Sequence, residues 1–208
     1  MTPAPLLTSL PLFPLGALLF PDGRLALRVF EVRYLDMVRK CHQAGTPFGV
    51  VGLTQGHEVR QAGAPEEQFT EVGTLAVIER LENPQPSLLL LQCRGGQRFR
   101  TTERRRLPHG LWVADAEVLA HDPPVPLPED LRALARRLEQ VLAQVQQQDP
   151  DKPAPGPPSA AQLGDCGWVA NRWCEWLPVS IDLKQQLLAL DNPLLRLELV
   201  GDILEQWG

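Results

Sequence analysis

Hydrophobic and polar residues alternate along several stretches of the first part of the chain. Leu25, Leu27 and Val29 are separated by single residues, and residues 112–118 repeat this spacing. A period of two buries one face of a β-strand and exposes the other. The continuous apolar run at residues 88–91 is typical of a strand covered on both faces. These patterns predict a mostly antiparallel β-domain. We expect its sheet to be closed or nearly closed, because proteins avoid leaving strand edges unpaired.

One helix is predicted within this β-rich part, at residues 32–44. Apolar residues recur there every three or four positions, and Gly45 follows as a stop signal. The sequence Asn83-Pro84-Gln85-Pro86 is typical of a turn that joins two long strands. The stretch therefore combines antiparallel strands with a single early helix.

The hydrophobic period changes after a proline-rich connector at residues 121–128. From Leu131 to Val145 apolar residues recur every three or four positions, which indicates an amphipathic helix. The prolines at residues 149–158 predict a loop. Shorter helices are expected at residues 160–176, 180–189 and 193–206. The chain is thus predicted to be α+β, with a β-rich domain at residues 1–122 and a helical bundle at residues 123–208.

Composition and charge narrow the class of protein. The 208 residues are 44% hydrophobic and 22% charged, with a net charge of −5, as in a soluble globular protein. The acidic balance argues against a general nucleic-acid binder, and no apolar run approaches the ~20 residues of a membrane helix. Without a secretory signal pattern and without a C-x-x-C pair among the four cysteines, we expect a cytoplasmic protein with reduced thiols.

Motifs for catalysis are scarce. The sequence contains no P-loop, no dinucleotide-binding glycine motif and no nucleophile elbow. Ser180 and Lys184 have the spacing of a Ser–Lys dyad, but Ser180 follows Pro178 at a predicted helix start, where a hydroxyl caps the helix. The four histidines are scattered without metal-ligand spacing. We therefore expect no enzyme activity, cofactor or metal, with a cryptic Ser–Lys hydrolase as the less favoured alternative.

The only basic cluster consists of Arg104, Arg105 and Arg106. Such a cluster is able to bind phosphate or RNA. A solvated loop between two strands is the simpler interpretation in an acidic protein, so nucleic-acid binding stays an alternative.

The segment at residues 10–24 is apolar yet interrupted by prolines and glycines. It is too hydrophobic for an ordinary surface loop. Either its side chains plug one end of the barrel, or they form an apolar surface for a partner. The candidate binding residues are Phe13, Leu18, Leu19 and Phe20.

Several motifs together resemble the N-terminal, substrate-binding domain of the Lon protease family. They are Leu10-Pro11-Leu12-Phe13-Pro14-Leu15, Leu19-Phe20-Pro21, Phe30-Glu31-x-Arg33-Tyr34, Phe48-Gly49-Val50-Val51, Gly96-x-Arg98-Phe99-Arg100, Leu177-Pro178 and Lys184-Gln185-x-Leu187-Leu188. The likeness spans nearly the whole chain.

The resemblance implies a PUA-like pseudo-barrel followed by a helical bundle. It also implies a non-enzymatic module that recognises unfolded or partly folded polypeptides, with a protease or chaperone as candidate partner. Since the sequence stops at Gly208, a stand-alone Lon-domain protein without ATPase and peptidase modules is expected. Whether it forms homo-oligomers stays open.

The motif residues Phe30, Glu31, Arg33, Tyr34 and Arg98 are expected to be structural. Glu31 and Arg33 are predicted to fix the junction between a strand and the early helix, and the Tyr34 ring to pack inward. Arg98 is expected on a strand face, paired with a junction carboxylate.

Overall fold

The β-strands form one sheet that closes on itself. The computed structural model describes residues 5–58, 66–148 and 156–206. In these ranges the strands are β1 (Leu6–Leu15), β2 (Arg24–Val29), β3 (Phe48–Gln55), β4 (Gln68–Phe69), β5 (Val72–Gln85), β6 (Leu88–Arg106) and β7 (Trp112–Val118). The order is β1-β7-β6-β5-β3-β4, and a parallel pairing of β1 with β3 closes the ring. With the helices, this confirms the α+β class and fits the PUA-like pseudo-barrel.

Strand β1 was not predicted, because Pro11 and Pro14 argue against a strand. Proline is tolerated in a sheet where its missing N–H would face away from a partner strand. Strand β1 changes partner along its length: it pairs with β7 up to Pro11 and with β3 from Leu12 onward. Each half of β1 therefore has a partner strand on one side only. This allows a proline in each half, because the missing N–H is tolerated on an unpaired side.

The helices follow the predicted order, with one difference. They are α1 (Val32–Ala44), α2 (Arg132–Gln148), α3 (Ala160–Leu163), α4 (Cys166–Trp176), α5 (Ile181–Ala189) and α6 (Pro193–Glu205). Helix α1 ends at Gly45 with φ 63°, as the stop signal predicts. The single helix expected at residues 160–176 is instead split into α3 and α4, because Gly164 ends one and the Asp165 side chain caps the next.

The strand β6 contains a close backbone approach at Gly95. A Cβ atom at this position would collide with the carbonyl oxygen of Phe20, and the pairing of β6 with β5 shifts register here. The Gly95-Gly96 pair therefore marks a β-bulge. Of the predicted proline-rich loop, residues 149–155 lie outside the described ranges.

Two main hydrophobic cores hold the molecule together. One packs helix α1 against the strands of the barrel and includes Phe13, Tyr34 and Phe48, while the other lies among the helices around Trp168 and Trp173. All four cysteines are free thiols buried in these regions. Among the described residues, no helix is both long and apolar enough to cross a bilayer.

The loop before β2 is anchored to helix α4 by a buried arginine. Arg172 has no exposed surface. It donates to the carbonyl oxygen of Pro21 at 2.5 Å and pairs with Glu175 at 3.1 Å. Burial raises the pKa of Glu175 to about 7, against the opposing charges of Arg172 and Lys184.

This raised pKa gives a testable pH dependence. The folded protein retains a proton on Glu175 that the unfolded chain releases above its ordinary pKa of 4.5. The contribution of Glu175 to the free energy of unfolding therefore decreases as the pH rises from about 4.5 to about 7, by up to about 3 kcal/mol. We expect Glu175→Gln to flatten this part of the stability profile, measured by urea unfolding across the pH range. A variant profile parallel to wild type would contradict the assignment.

Candidate functional site

The four residues predicted for an apolar binding surface lie mostly in the interior. Phe20 has no exposed surface and Leu19 and Phe13 are also buried, whereas Leu18 is half-buried. Phe20 packs in the helical core, and Phe13 stacks on Tyr34 with ring centroids 4.0 Å apart. Their placement argues against the surface alternative and agrees with the plug, because Phe13 belongs to strand β1 and Leu18, Leu19 and Phe20 pack in the two main cores.

Arg33 makes the contacts that stabilise the junction between β2 and α1. Its Nη1 atom donates to the Gly110 carbonyl oxygen and its Nη2 atom to Glu67 Oε1, both at 3.0 Å. Its Nε atom lies 3.3 Å from Glu31 Oε2, and its guanidinium stacks 4.5 Å from the centre of the Tyr34 ring. Glu31 and Arg33 thus make the backbone and charge contacts expected of them, and the Tyr34 ring packs inward.

The main carboxylate partner of Arg33 is Glu67, which sequence reasoning missed. Burial favours the neutral acid, but hydrogen bonds from Arg33 and from the Trp112 indole N–H hold the pKa of Glu67 below its ordinary value. The three side chains come from distant parts of the chain, so no local spacing signals their contact. These hydrogen bonds fix the position of the start of helix α1.

Two apolar side chains at the junction between β2 and α1 are exposed to solvent. Phe30 is 53% exposed and Val32 is 75% exposed, although Arg33 and Tyr34, which follow them, are buried. We call these two residues the Phe30–Val32 ridge. Exposed single hydrophobic residues are common, but these two adjoin hollows that are also partly apolar.

Each ridge residue lines one hollow. The β2 groove, with a volume of about 310 Å³, is lined by Phe30 together with Phe13, Leu15, Ala26, Leu27, Arg28, Val29, Glu31, Tyr34 and Glu58. The α1 groove, with a volume of about 380 Å³, is lined by Val32 together with Pro11, Arg33, Asp36, Met37, Lys40, Cys41, Leu107, His109 and Leu111. Ligand hollows of this size accept side chains or short segments. The ridge thus places two exposed apolar side chains beside two hollows at one junction of the fold.

Arg98 is not paired with a junction carboxylate, which corrects the prediction for this residue. It is buried between the barrel and the helices, where its Nη2 atom lies 2.9 Å from Asp122 and 3.3 Å from Asp191. Its Nη1 atom donates to the carbonyl oxygens of Leu188 and Leu190, each at 2.8 Å. The prediction was wrong because a strand pattern shows which face a side chain lies on and does not show what packs there.

Arg196 completes this buried network from helix α6. Its Nη1 atom contacts Asp122 Oδ2 at 2.5 Å and Asn171 Oδ1 at 2.9 Å, and its Nε atom donates to the Leu187 carbonyl oxygen at 2.9 Å. The two arginines thus bind the carboxyl end of helix α5, where carbonyl groups lack helical partners and the helix dipole is negative. A hollow of about 370 Å³ lies beside Asp122, and Arg98 and Asn171 also line it. The network joins the barrel to the helices.

The Ser180 and Lys184 side chains are occupied by the fold. Ser180 Oγ accepts the Leu183 N–H at the start of α5, as the capping interpretation predicts. Lys184 is half-buried, and its Nζ atom donates to the Glu175 carbonyl oxygen at 3.1 Å. Burial lowers the pKa of Lys184. The serine and lysine therefore have separate structural contacts.

The basic cluster lies at the end of strand β6, and the expectation of a loop is wrong. Arg104 donates to the Phe69 carbonyl oxygen at 2.9 Å and stacks 4.8 Å from the Phe69 ring centre. Arg105 contacts Asp115 and Ser9, and Arg106 contacts Glu66 and lies over Trp112. All three arginines therefore hold neighbouring parts of the barrel. Among the described residues, no cluster of three or more histidines, cysteines or acidic residues is arranged to hold a metal ion.

Comparison with known proteins agrees with the fold described above. Residues 9–206 match the family model of the ATP-dependent protease La (LON) substrate-binding domain. The crystal structure of a Lon N-terminal domain protein from Xanthomonas campestris is 32% identical, with a TM-score of 0.71 over 94% of this chain and 98% of that chain.

A second solved structure supports the fold alone. The N-terminal domain of the Mycobacterium avium complex Lon protease has a TM-score of 0.57 and is 16% identical, over 95% of this chain and 98% of that chain. A comparison with curated protein sequences returns no match. The two solved structures share their architecture with almost all of the chain.

Proposed function

The chain belongs to the Lon substrate-binding domain family, and we propose that it is a non-enzymatic module that binds unfolded or partly folded polypeptides. The observation that carries the proposal is the exposure of Phe30 and Val32 beside two apolar grooves. Unfolded chains differ from folded ones in presenting apolar side chains to solvent. A surface that covers such side chains distinguishes the two states.

The rigidity of the site supports this role. Arg33, Glu67 and Gly110 fix the backbone below the Phe30–Val32 ridge through hydrogen bonds of about 3 Å. A preformed surface loses little conformational entropy when it binds. Covering apolar surface contributes about 25 cal/mol per Å² before ordering costs. We expect affinity in the micromolar range with a weak dependence on salt, because the attraction is mainly hydrophobic.

The partner class follows from the same surface. A protease or chaperone that handles unfolded proteins would share the polypeptides that this module binds. The four free thiols fit the reducing cytoplasm as its location. We do not extend the proposal to RNA binding or to hydrolysis, since the arginine cluster, Ser180 and Lys184 are engaged within the fold.

Substitution of the ridge residues tests the proposal. We expect Phe30→Asp and Val32→Asp each to weaken binding of a permanently unfolded, alkylated model protein by about tenfold or more. Fluorescence anisotropy with the labelled model protein measures the affinity. Both side chains are exposed, so circular dichroism and the melting temperature should change little.

Leu195→Asp is the matched control. Leu195 is also an exposed apolar residue, but it lies on helix α6, away from the ridge. It should leave binding unchanged. Equal affinities for wild type and both ridge variants, or equal losses in all three variants, would overturn the assignment of this surface.

A further inference from the structure

Strand β2 has an open edge beside the candidate site. It pairs with β6 through six consecutive residue pairs, from Arg24 opposite Arg94 to Val29 opposite Leu89. Among the described residues it pairs with no other strand. An open edge presents backbone N–H and C=O groups that an extended polypeptide is able to bind.

The register shows which backbone groups face outward. The Gly95 N–H donates to the Gly23 carbonyl oxygen at 2.9 Å. In an antiparallel ladder the hydrogen-bonded pairs recur at every second residue, so Leu25, Leu27 and Val29 bond to β6. The backbone groups of Ala26 and Arg28 then point away from the sheet.

The β2 groove lies along the same strand. Ala26, Leu27 and Arg28 line it, and so does Phe30, the residue that follows β2. A chain added to the β2 edge would place alternate side chains on the apolar residues of this groove, because successive side chains of a strand point to opposite faces.

Arg28 supplies the groove with a positive charge that an acidic ligand residue is able to pair with. Of the three charged residues that line it, Glu31 pairs with Arg33, and Glu58 accepts the Gly16 N–H at 2.6 Å. Arg28 is exposed and makes no ion pair within the described ranges, whereas Arg24 on the same strand pairs with Glu79. An opposite charge across a strand pair is stabilising.

We propose that β2 binds an extended polypeptide as an added strand, with apolar side chains in the β2 groove and an acidic residue beside Arg28. This inference rests on the proposed function, which it deepens by naming the backbone conformation and the charge of the bound segment. It requires main-chain hydrogen bonds, which burial of side chains alone does not.

Backbone-methylated peptides separate strand addition from simple apolar contact. The probe is a synthetic peptide of about eight residues, alternating leucine and threonine with one glutamate, titrated by isothermal calorimetry. N-methylation of one alternate set of amides should weaken binding by about tenfold, and methylation of the other set should have little effect. Replacing the glutamate by lysine should weaken binding several-fold in wild type and not in Arg28→Ala.

The outcomes distinguish this inference from the proposed function. If the unfolded model protein binds but the peptide does not, or if both methylation sets act alike, strand addition is wrong and apolar binding stands. If neither the peptide nor the unfolded protein binds, the proposed function fails as well.

A protein variant provides the second test. Ala26→Pro removes the outward N–H of β2 without removing a bond to β6, and Ala26→Val keeps that N–H. We expect Ala26→Pro to weaken peptide binding by about fivefold to tenfold and Ala26→Val to bind normally, with melting temperatures checked for both. Equal peptide affinities for the two variants would contradict the inference. A wild-type dimer that Ala26→Pro dissociates would assign the edge to a second copy of the chain and overturn it.

Discussion

Asp122→Asn is expected to lower the free energy of unfolding by about 3 kcal/mol. Asp122 is the carboxylate that both buried arginines share, with contacts of 2.9 Å to Arg98 and 2.5 Å to Arg196. Its side chain is only 15% exposed. Removing its charge leaves two buried guanidinium groups without the carboxylate that they share, and an uncompensated buried charge is costly. For a chain of this size the melting temperature should fall by on the order of 10 °C.

Asp191→Asn is the control for this prediction. Asp191 also contacts Arg98, at 3.3 Å, but its side chain is 80% exposed. Solvent screens such a pair, which contributes at most about 1 kcal/mol. Urea unfolding of both variants gives the comparison directly. Similar losses of stability would show that the network is not the main connection between barrel and helices.

Phe20→Ala is expected to destabilise the fold by about 3–5 kcal/mol. Phe20 has no exposed surface, and it packs in the helical core although it belongs to the loop before β2. Truncation removes buried apolar area and leaves a cavity that neighbouring side chains only partly fill. Because this phenylalanine links the loop to the helices, chemical denaturation should show the loss as a lower midpoint.

Phe30→Ala is the matched substitution at an exposed position. Phe30 is 53% exposed, so truncation should change the free energy of unfolding by less than about 1 kcal/mol while it weakens binding of the unfolded model protein. The two phenylalanines thus separate folding from binding. A normal stability for Phe20→Ala, or a normal affinity for Phe30→Ala, would contradict the division between core and surface that we describe.

Much of the fold could be predicted from local patterns. Helix α1 and its end at Gly45 follow from apolar spacing and from the ability of glycine to adopt a positive φ. Strand β1 could not be predicted, because its prolines are acceptable only where the strand changes partner between β7 and β3. That exchange is a property of the closed sheet.

The candidate site was less predictable than the fold. Apolar character alone suggested Leu19 and Phe20 as binding residues, yet the same property also drives burial, and both lie inside. Phe30 was identified through its motif and interpreted as structural, whereas its side chain is exposed. Burial depends on which elements pack together, and the sequence of one strand does not contain that information.

The connection between the two parts of the molecule was missed for a similar reason. Arg98, Asp122 and Arg196 are separated by 24 and 74 residues along the chain and meet only in the folded protein. The division of the chain near residue 122 stays a prediction. Since Asp122 itself binds to side chains from both parts, we expect them to unfold together.

Hydrogen–deuterium exchange with a bound unfolded polypeptide tests the central claim most directly. The claim is that the Phe30–Val32 ridge and the adjoining grooves bind a polypeptide and do not cleave it. On saturation with the alkylated model protein, we expect slower exchange in β2 and at the start of α1, unchanged exchange in α6, and an intact polypeptide afterwards. Protection confined to other parts of the molecule, or cleavage of the polypeptide by the purified protein, would contradict the account.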